Sequence, residues 1–184
     1  METTLTNRIT DFAAVIQNMA QQVFSTMLGL ELEDATLEPA ESYGVPNAGI
    51  VAMVGIAGAV SGNVTVRISN ELSCILASRL LMTGYPEVNE DVLDAIAELA
   101  NMIVGGLKTN LEDRFGSMGL SLPTVISADH YVARSPAVGQ RFAISFRCPH
   151  ENGVDRFTVQ MCLISEKPDN SYLRELAELH SKLA

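Results

Sequence analysis

The sequence predicts an α+β fold, a largely antiparallel sheet packed with two long helices plus shorter helices. Three observations predict it. Two long segments, Thr4 to Leu28 and about Asn89 to Phe115, carry apolar residues at three- and four-residue steps, the period of an amphipathic helix. Between and after them lie paired β-rich runs joined by short, turn-forming stretches. The order long helix, strands, hairpin, shorter helix then occurs twice, which predicts an internal pseudo-twofold repeat. Residues 1–184 are read as a single domain, with 1–84 as the first half-repeat and 85–184 as the second.

In the first helix Leu5, Ile9, Phe12, Ile16, Met19, Val23 and Met27 form the apolar stripe, and Gly29 is a natural stop. Glu31 to Ala48 is acidic, with Pro39, Gly44 and Pro46, and reads as a loop with room for a short strand. Ile50 to Ile56 and Gly62 to Ile68 form a hairpin across Ala57 to Ser61. Val64, Val66 and Ile68 alternate with Asn63, Thr65 and Arg67, so one sheet face is buried and the other more polar. Asn70, a good N-cap, opens a short helix that ends near Thr83-Gly84.

The second long helix carries Val92, Leu93, Ile96, Leu99, Ala100, Ile103, Val104 and Leu107 on one side. After it, Val125 to Arg134 reads as extended, and Arg141 to Cys148 pairs with Arg156 to Ile164 around Glu151-Asn-Gly153. Pro168 and Asp169 introduce a last helix carrying Leu173, Leu176, Leu179 and Leu183.

The second long helix also holds the candidate site. At 100° per residue, Asp94, Glu98, Asn101, Gly105 and Glu112 gather opposite the apolar stripe. Glu98 and Asn101, spaced i,i+3, have Cβ atoms roughly 5–6 Å apart. Gly105-Gly106 interrupts the helix at a cost of about 1 kcal/mol per glycine. Gly106 falls on the packed side, where it suits a close helix contact; Gly105 falls on the polar side, where it leaves room for another backbone. The plain alternative is a solvated face with a tolerated glycine pair.

The two long helices align without gaps at an offset of 83 residues, with six identities, among them Asp11 on Asp94 and Asn18 on Asn101. Val15 takes the place of Glu98 and Gln22 that of Gly105. Asp11, Val15 and Asn18 therefore read as a degenerate second site, leaving one intact.

Composition narrows the function classes. Hydrophobic residues make up 47% and the formal net charge is −10, which disfavours nucleic acid and anionic membrane as partners. The opening residues lack a signal peptide and no apolar run reaches a membrane span. Cys74, Cys148 and Cys162 lack CxxC spacing and read as reduced thiols. A cytoplasmic protein is expected.

His130, His150 and His180 lack metal-ligand spacing, so no metal held by this chain is expected, and His150 reads as a turn residue. The glycines from Gly55 to Gly62 sit in a hairpin rather than before a helix, which argues against a phosphate loop. No serine has GxSxG context. The eight methionines, Met102 among them, read as core filler, and Arg67, Arg147 and Arg156 as exposed-face residues.

Glu98-Leu-Ala-Asn101, with Asp94 before it and Gly105 after it, resembles the ExxN signature of the CheC/CheX/FliY family of response-regulator phosphatases. Val54 to Gly62 and Leu122 to Ser127 also resemble the CheX branch, as does having a single intact ExxN helix, and the resemblance runs over about residues 5 to 164. It implies hydrolysis of the aspartyl phosphate on a CheY-like response regulator, which itself supplies the phosphoryl group, Mg²⁺ and a lysine. It further implies that Asn101 holds the attacking water in line, that Glu98 pairs with the regulator's lysine, and that Asp94, Gly105 and Lys108 contact the partner. A homodimer is implied as well. A module that binds a response regulator or a flagellar switch without catalysis is the alternative reading.

Overall fold

The computed structural model describes residues 2–39, 49–129 and 139–164. Helix α1 (Glu2–Val23) runs directly into a π-helical turn (Phe24–Leu28), closed by Gly29 in the left-handed conformation at φ 62°. Strand β1 (Glu33–Pro39), the hairpin β2 (Gly49–Gly58) and β3 (Gly62–Ile68), and helix α2 (Asn70–Leu81) follow. Helix α3 (Glu90–Phe115) leads to β4 (Met118–Leu120), β5 (Thr124–Ala128) and the long hairpin β6 (Gly139–His150) and β7 (Gly153–Ile164). The last helix expected from the sequence, the extended run beyond Asp129, His130 and His180 lie outside the described residues.

All seven strands pair antiparallel in one sheet, in the order β1-β6-β7-β3-β2, with β4 and β5 end to end along the far side of β2. Exchanging β1 with β5, β2 with β6 and β3 with β7 leaves that order unchanged. The alternation of each strand supplies the core face: Ile50, Ala52, Val54 and Ile56 on β2, Val64, Val66 and Ile68 on β3, Phe142, Ile144 and Phe146 on β6. On the opposite face of the central pair, Thr65 and Gln160 stand in register and are buried, so that face is less open than the polar alternation of β3 predicts.

Helices α1 and α3 lie side by side and antiparallel. Phe12 stacks on Phe115 at 5.3 Å between centroids, Asp11 pairs with Arg114 at 2.8 Å, and a Cβ on Gly106 would collide with the Met19 thioether. Gly106 is thus the close-contact glycine expected from the sequence. The π-turn is anchored by aromatic stacking, with Phe24 4.6 Å from Phe157 and Phe157 4.8 Å from Phe146, geometry that adds to plain burial.

The short strand that the acidic stretch leaves room for is β1, and three other local features differ from the sequence reading. Strand β1 pairs with β6 on one side, and Arg147 holds it through Asp34 at 2.8 Å. Its burial is slight, so no apolar alternation marked it. Strand β4, three residues long, exists through its pairing with the end of β2. Arg147 is an ion-pairing residue rather than a free exposed one. The cap of α2 is Ser69, whose hydroxyl accepts the Leu72 N–H at 3.1 Å, and Asn70 is the first helical residue. Serine and asparagine cap comparably, and the extended backbone of Ser69 (φ −63°, ψ 157°) places the cap one residue earlier.

The Ser69 assignment carries a direct test. Ser69→Ala is expected to cost about 1 kcal/mol, a fall of about 2–4 °C in melting temperature for a chain of this size, whereas Asn70→Ala should change it by less than about 1 °C. Thermal denaturation followed by circular dichroism compares the two, and equal losses would return the cap to Asn70.

Candidate functional site

The candidate site is the outward stripe of α3. The helix is fixed at its start by Asn89, whose side chain accepts the Val92 N–H at 3.0 Å, and Glu90 and Asp91 in the first turn suit the helix dipole. Val92, Ala95, Ile96, Leu99, Ala100, Ile103, Val104, Leu107 and Leu111 are buried, which turns the opposite stripe outward. Asp94 and Glu98 on that stripe are exposed, and Asn101 and Gly105 are half-buried. Neither Glu98 nor Asn101 has a hydrogen-bond or ion-pair partner among the described residues. A Cβ added at Gly105 would meet nothing within 4 Å, so the surface above Asn101 is open on its C-terminal side.

Lys108, expected to contact a partner, is engaged within its own helix: its Nζ lies 2.7 Å from Glu112 Oε2. The other oxygen of Glu112 accepts the Met118 N–H at 2.9 Å. The Lys108 hydrogen bond first, and the Met118 N–H second, hold the Glu112 carboxyl below its usual value. The pair therefore closes the far end of the stripe and fastens α3 to β4.

The residues aligned with the site on α1 form no second copy of it. Asp11 is paired with Arg114, Val15 packs against the core, and Asn18 is exposed. Because the helices run antiparallel, these residues lie beside the C-terminal part of α3, away from Glu98.

Cys148 and Cys162 are buried and Cys74 half-buried, all as free thiols. Burial above all, with Asp155 adding, pushes the Cys148 thiol up to about 11, which favours the protonated thiol at neutral pH. His150 closes β6; its Nδ1 accepts the Asn152 N–H at 3.2 Å in the hairpin turn. Among the described residues no group of three or more His, Cys, Asp and Glu side chains could hold a metal ion. Two methionines depart from the core-filling role: Met82 is 93% exposed and Met27 50%. Helical periodicity places Met27 on the apolar stripe and carries no signal for Met82, which lies just beyond the last turn of α2.

Comparison with known proteins converges on one family. The family model described as chemotaxis phosphatase CheX matches residues 50–147, just over half of the chain. A "CheY-P phosphatase CheX" of Thermotoga maritima is 28% identical over 138 residues, covering 72% of this chain and 88% of the relative. Among solved structures, a chemotaxis protein CheX from Desulfovibrio desulfuricans superposes with a TM-score of 0.72 at 24% identity, over 83% of this chain and 99% of that one. The CheX chain of a CheX-CheY-BeF3-Mg complex from Borrelia burgdorferi gives 0.68 at 18% identity, over 84% and 98%. At these identities the structural matches speak for the fold.

Two measurements check the local account of α3. Gly105→Ala is expected to stabilise the protein by about 0.5–1 kcal/mol, because alanine favours the helix and the space is open. Gly106→Ala should gain none of this, since Met19 must move; thermal melts of the two variants make the comparison. The Glu112 contribution to stability is present in full above the usual glutamate value of 4.5. It is lost as pH falls through the lower folded-state value. Melting temperature against pH should therefore show wild type and Glu112→Gln converging as the medium is acidified below that range.

Proposed function

The chain belongs to the chemotaxis phosphatase CheX family, and we propose that it hydrolyses the aspartyl phosphate of a CheY-like receiver through Glu98 and Asn101. The observation that carries this reading is the unpartnered Glu98/Asn101 pair on an outward helix face, with open space above Gly105. The relative named as a CheY-P phosphatase and the complex of a CheX chain with CheY support the choice of substrate.

The chemistry suits these two side chains. Asn101 presents a neutral amide that both donates and accepts hydrogen bonds, so it can hold a water in line with the phosphorus while bearing no charge. A carboxylate at that position would repel the phosphoryl oxygens. In-line phosphoryl transfer needs positioning and charge stabilisation more than covalent help. Mg²⁺ bound to the receiver would supply the charge stabilisation. Glu98, one turn earlier on the same face, offers a carboxylate to the receiver's lysine and so fixes the register of docking. Asp94 extends the contact towards the start of α3, and Gly105 leaves space for the receiver's backbone. No proton need be exchanged with a histidine or cysteine of this chain.

The test is the decay of a receiver charged with acetyl phosphate, followed with catalytic amounts of this protein. Wild type should accelerate decay, and Asn101→Ala should lower kcat by about 100-fold or more with KM nearly unchanged. Glu98→Ala should act chiefly on KM, since it removes a docking contact. Binding without acceleration would point instead to a module that holds the receiver and leaves its phosphate intact.

A further inference from the structure

We propose that Met82, with Leu81 beside it in the chain, is an apolar docking contact for the receiver, so that the corner at the end of α2 helps to select the partner. The inference rests on the receiver-phosphatase reading above and concerns residues outside the ExxN helix. Met82 is 93% exposed and caps α2 in the left-handed conformation, at φ 54° and ψ 33°. Helix ends in this conformation ordinarily carry glycine or asparagine. Methionine has neither the freedom of the first nor the local hydrogen bonding of the second. The residue is therefore a poor choice for folding, placed where folding makes no use of its side chain.

Further apolar side chains are exposed at the end of α2 and on the π-turn to which it is tied. Leu81 is 43% exposed and Met27 50%. Arg79, two residues before Leu81, donates to the Leu28 carbonyl at 3.2 Å, which ties the end of α2 to the π-turn that carries Met27. From Met82 the chain runs to Tyr85, whose N–H donates to Ser78 Oγ at 3.0 Å and whose hydroxyl lies 3.3 Å from the Asp91 carboxylate. Three residues reach at most about 10 Å. Asp91 precedes Glu98 by seven residues, nearly two helical turns, on the same outward stripe. The corner is thus continuous with the proposed site at the N-terminal end of α3.

Charge selects the occupant. Glu90, Asp91, Asp94 and Glu98 are exposed, and none has a cation partner among the described residues. A receiver that gives a lysine to Glu98 would complete this surface with further basic groups and an apolar patch beyond them. A second copy of the chain would set the same carboxylates against each other, with a net charge of −10 on each chain. An unbranched thioether side chain also adapts to receivers of differing relief.

Met82→Gly separates docking from folding, because glycine suits the left-handed backbone while deleting the side chain. With a receiver charged by acetyl phosphate, Met82→Gly is expected to raise KM about fivefold to tenfold with kcat within about twofold, while its melting temperature rises by about 2 °C. Asn101→Ala should show the opposite split. If wild type accelerates decay and Met82→Gly keeps the same KM, or loses kcat instead, the docking role is overturned and the phosphatase reading stands. If wild type accelerates nothing, both fall together.

Discussion

The burial of α3 along one side is the constraint on which the rest depends. Nine of its side chains, from Val92 to Leu111, are buried against the sheet and its neighbouring helices. Turning the helix by a single residue, about 100°, would drive Asp94 or Glu98 towards that interior and expose leucine and isoleucine in return. Burying one such apolar side chain stabilises by about 1.5–3 kcal/mol, so the orientation is fixed many times over. The outward stripe is consequently a by-product of packing in its direction, while its composition is free to serve another purpose.

That freedom has been used unevenly along the helix. Towards the C-terminus the stripe is internally satisfied: Lys108, Glu112 and the Met118 N–H form a closed set. Among the described residues the carboxylates towards the N-terminus have no cation partner, and Asn101 between the two zones has no partner either. The neighbouring α1 shows the converse treatment of the aligned positions, with Asp11 paired, Val15 packed and Asn18 simply exposed. Two similar helical patterns have thus been given different electrostatic finishes, with the aspartate of α1 paired and the carboxylates of the N-terminal half of α3 left unpaired among the described residues.

The elements with strong periodicity were legible in the sequence. Both long helices, both hairpins and the outward position of Glu98 and Asn101 follow from steps of three and four or of two residues, since burial on one face imposes them. Structure made by pairing rather than by burial was legible only as room for a short strand, in β1, or not at all. Strand β1 is an edge strand of exposed, acidic residues, held by β6 and by Arg147. Strand β4 is three residues with a glycine, defined by its neighbour. The cap of α2 was displaced by one residue because two adjacent side chains can both cap, and local backbone geometry decides between them. Met82 left no trace, because periodicity describes what is inside, and what sets it apart is its exposure and a backbone conformation unusual for its type.

The order of the strands bears on how the chain can reach this structure. Among the described residues strand β1 pairs only with β6, and the first hairpin meets the sheet's other half at β3 against β7. Strands β6 and β7 therefore lie between elements that precede them by about a hundred residues. During synthesis, everything before residue 139 lacks the surface on which β1 is laid and half of the sheet that α1 covers. Such long-range pairings slow folding, because the loop must close before its contacts stabilise it. The first hundred or so residues leave the ribosome with β3 as an open sheet edge and β1 without its partner, a state exposed to misassociation. Glu33, Asp34 and Glu38 put like charges on that waiting strand, which disfavours its pairing with the same strand of another chain.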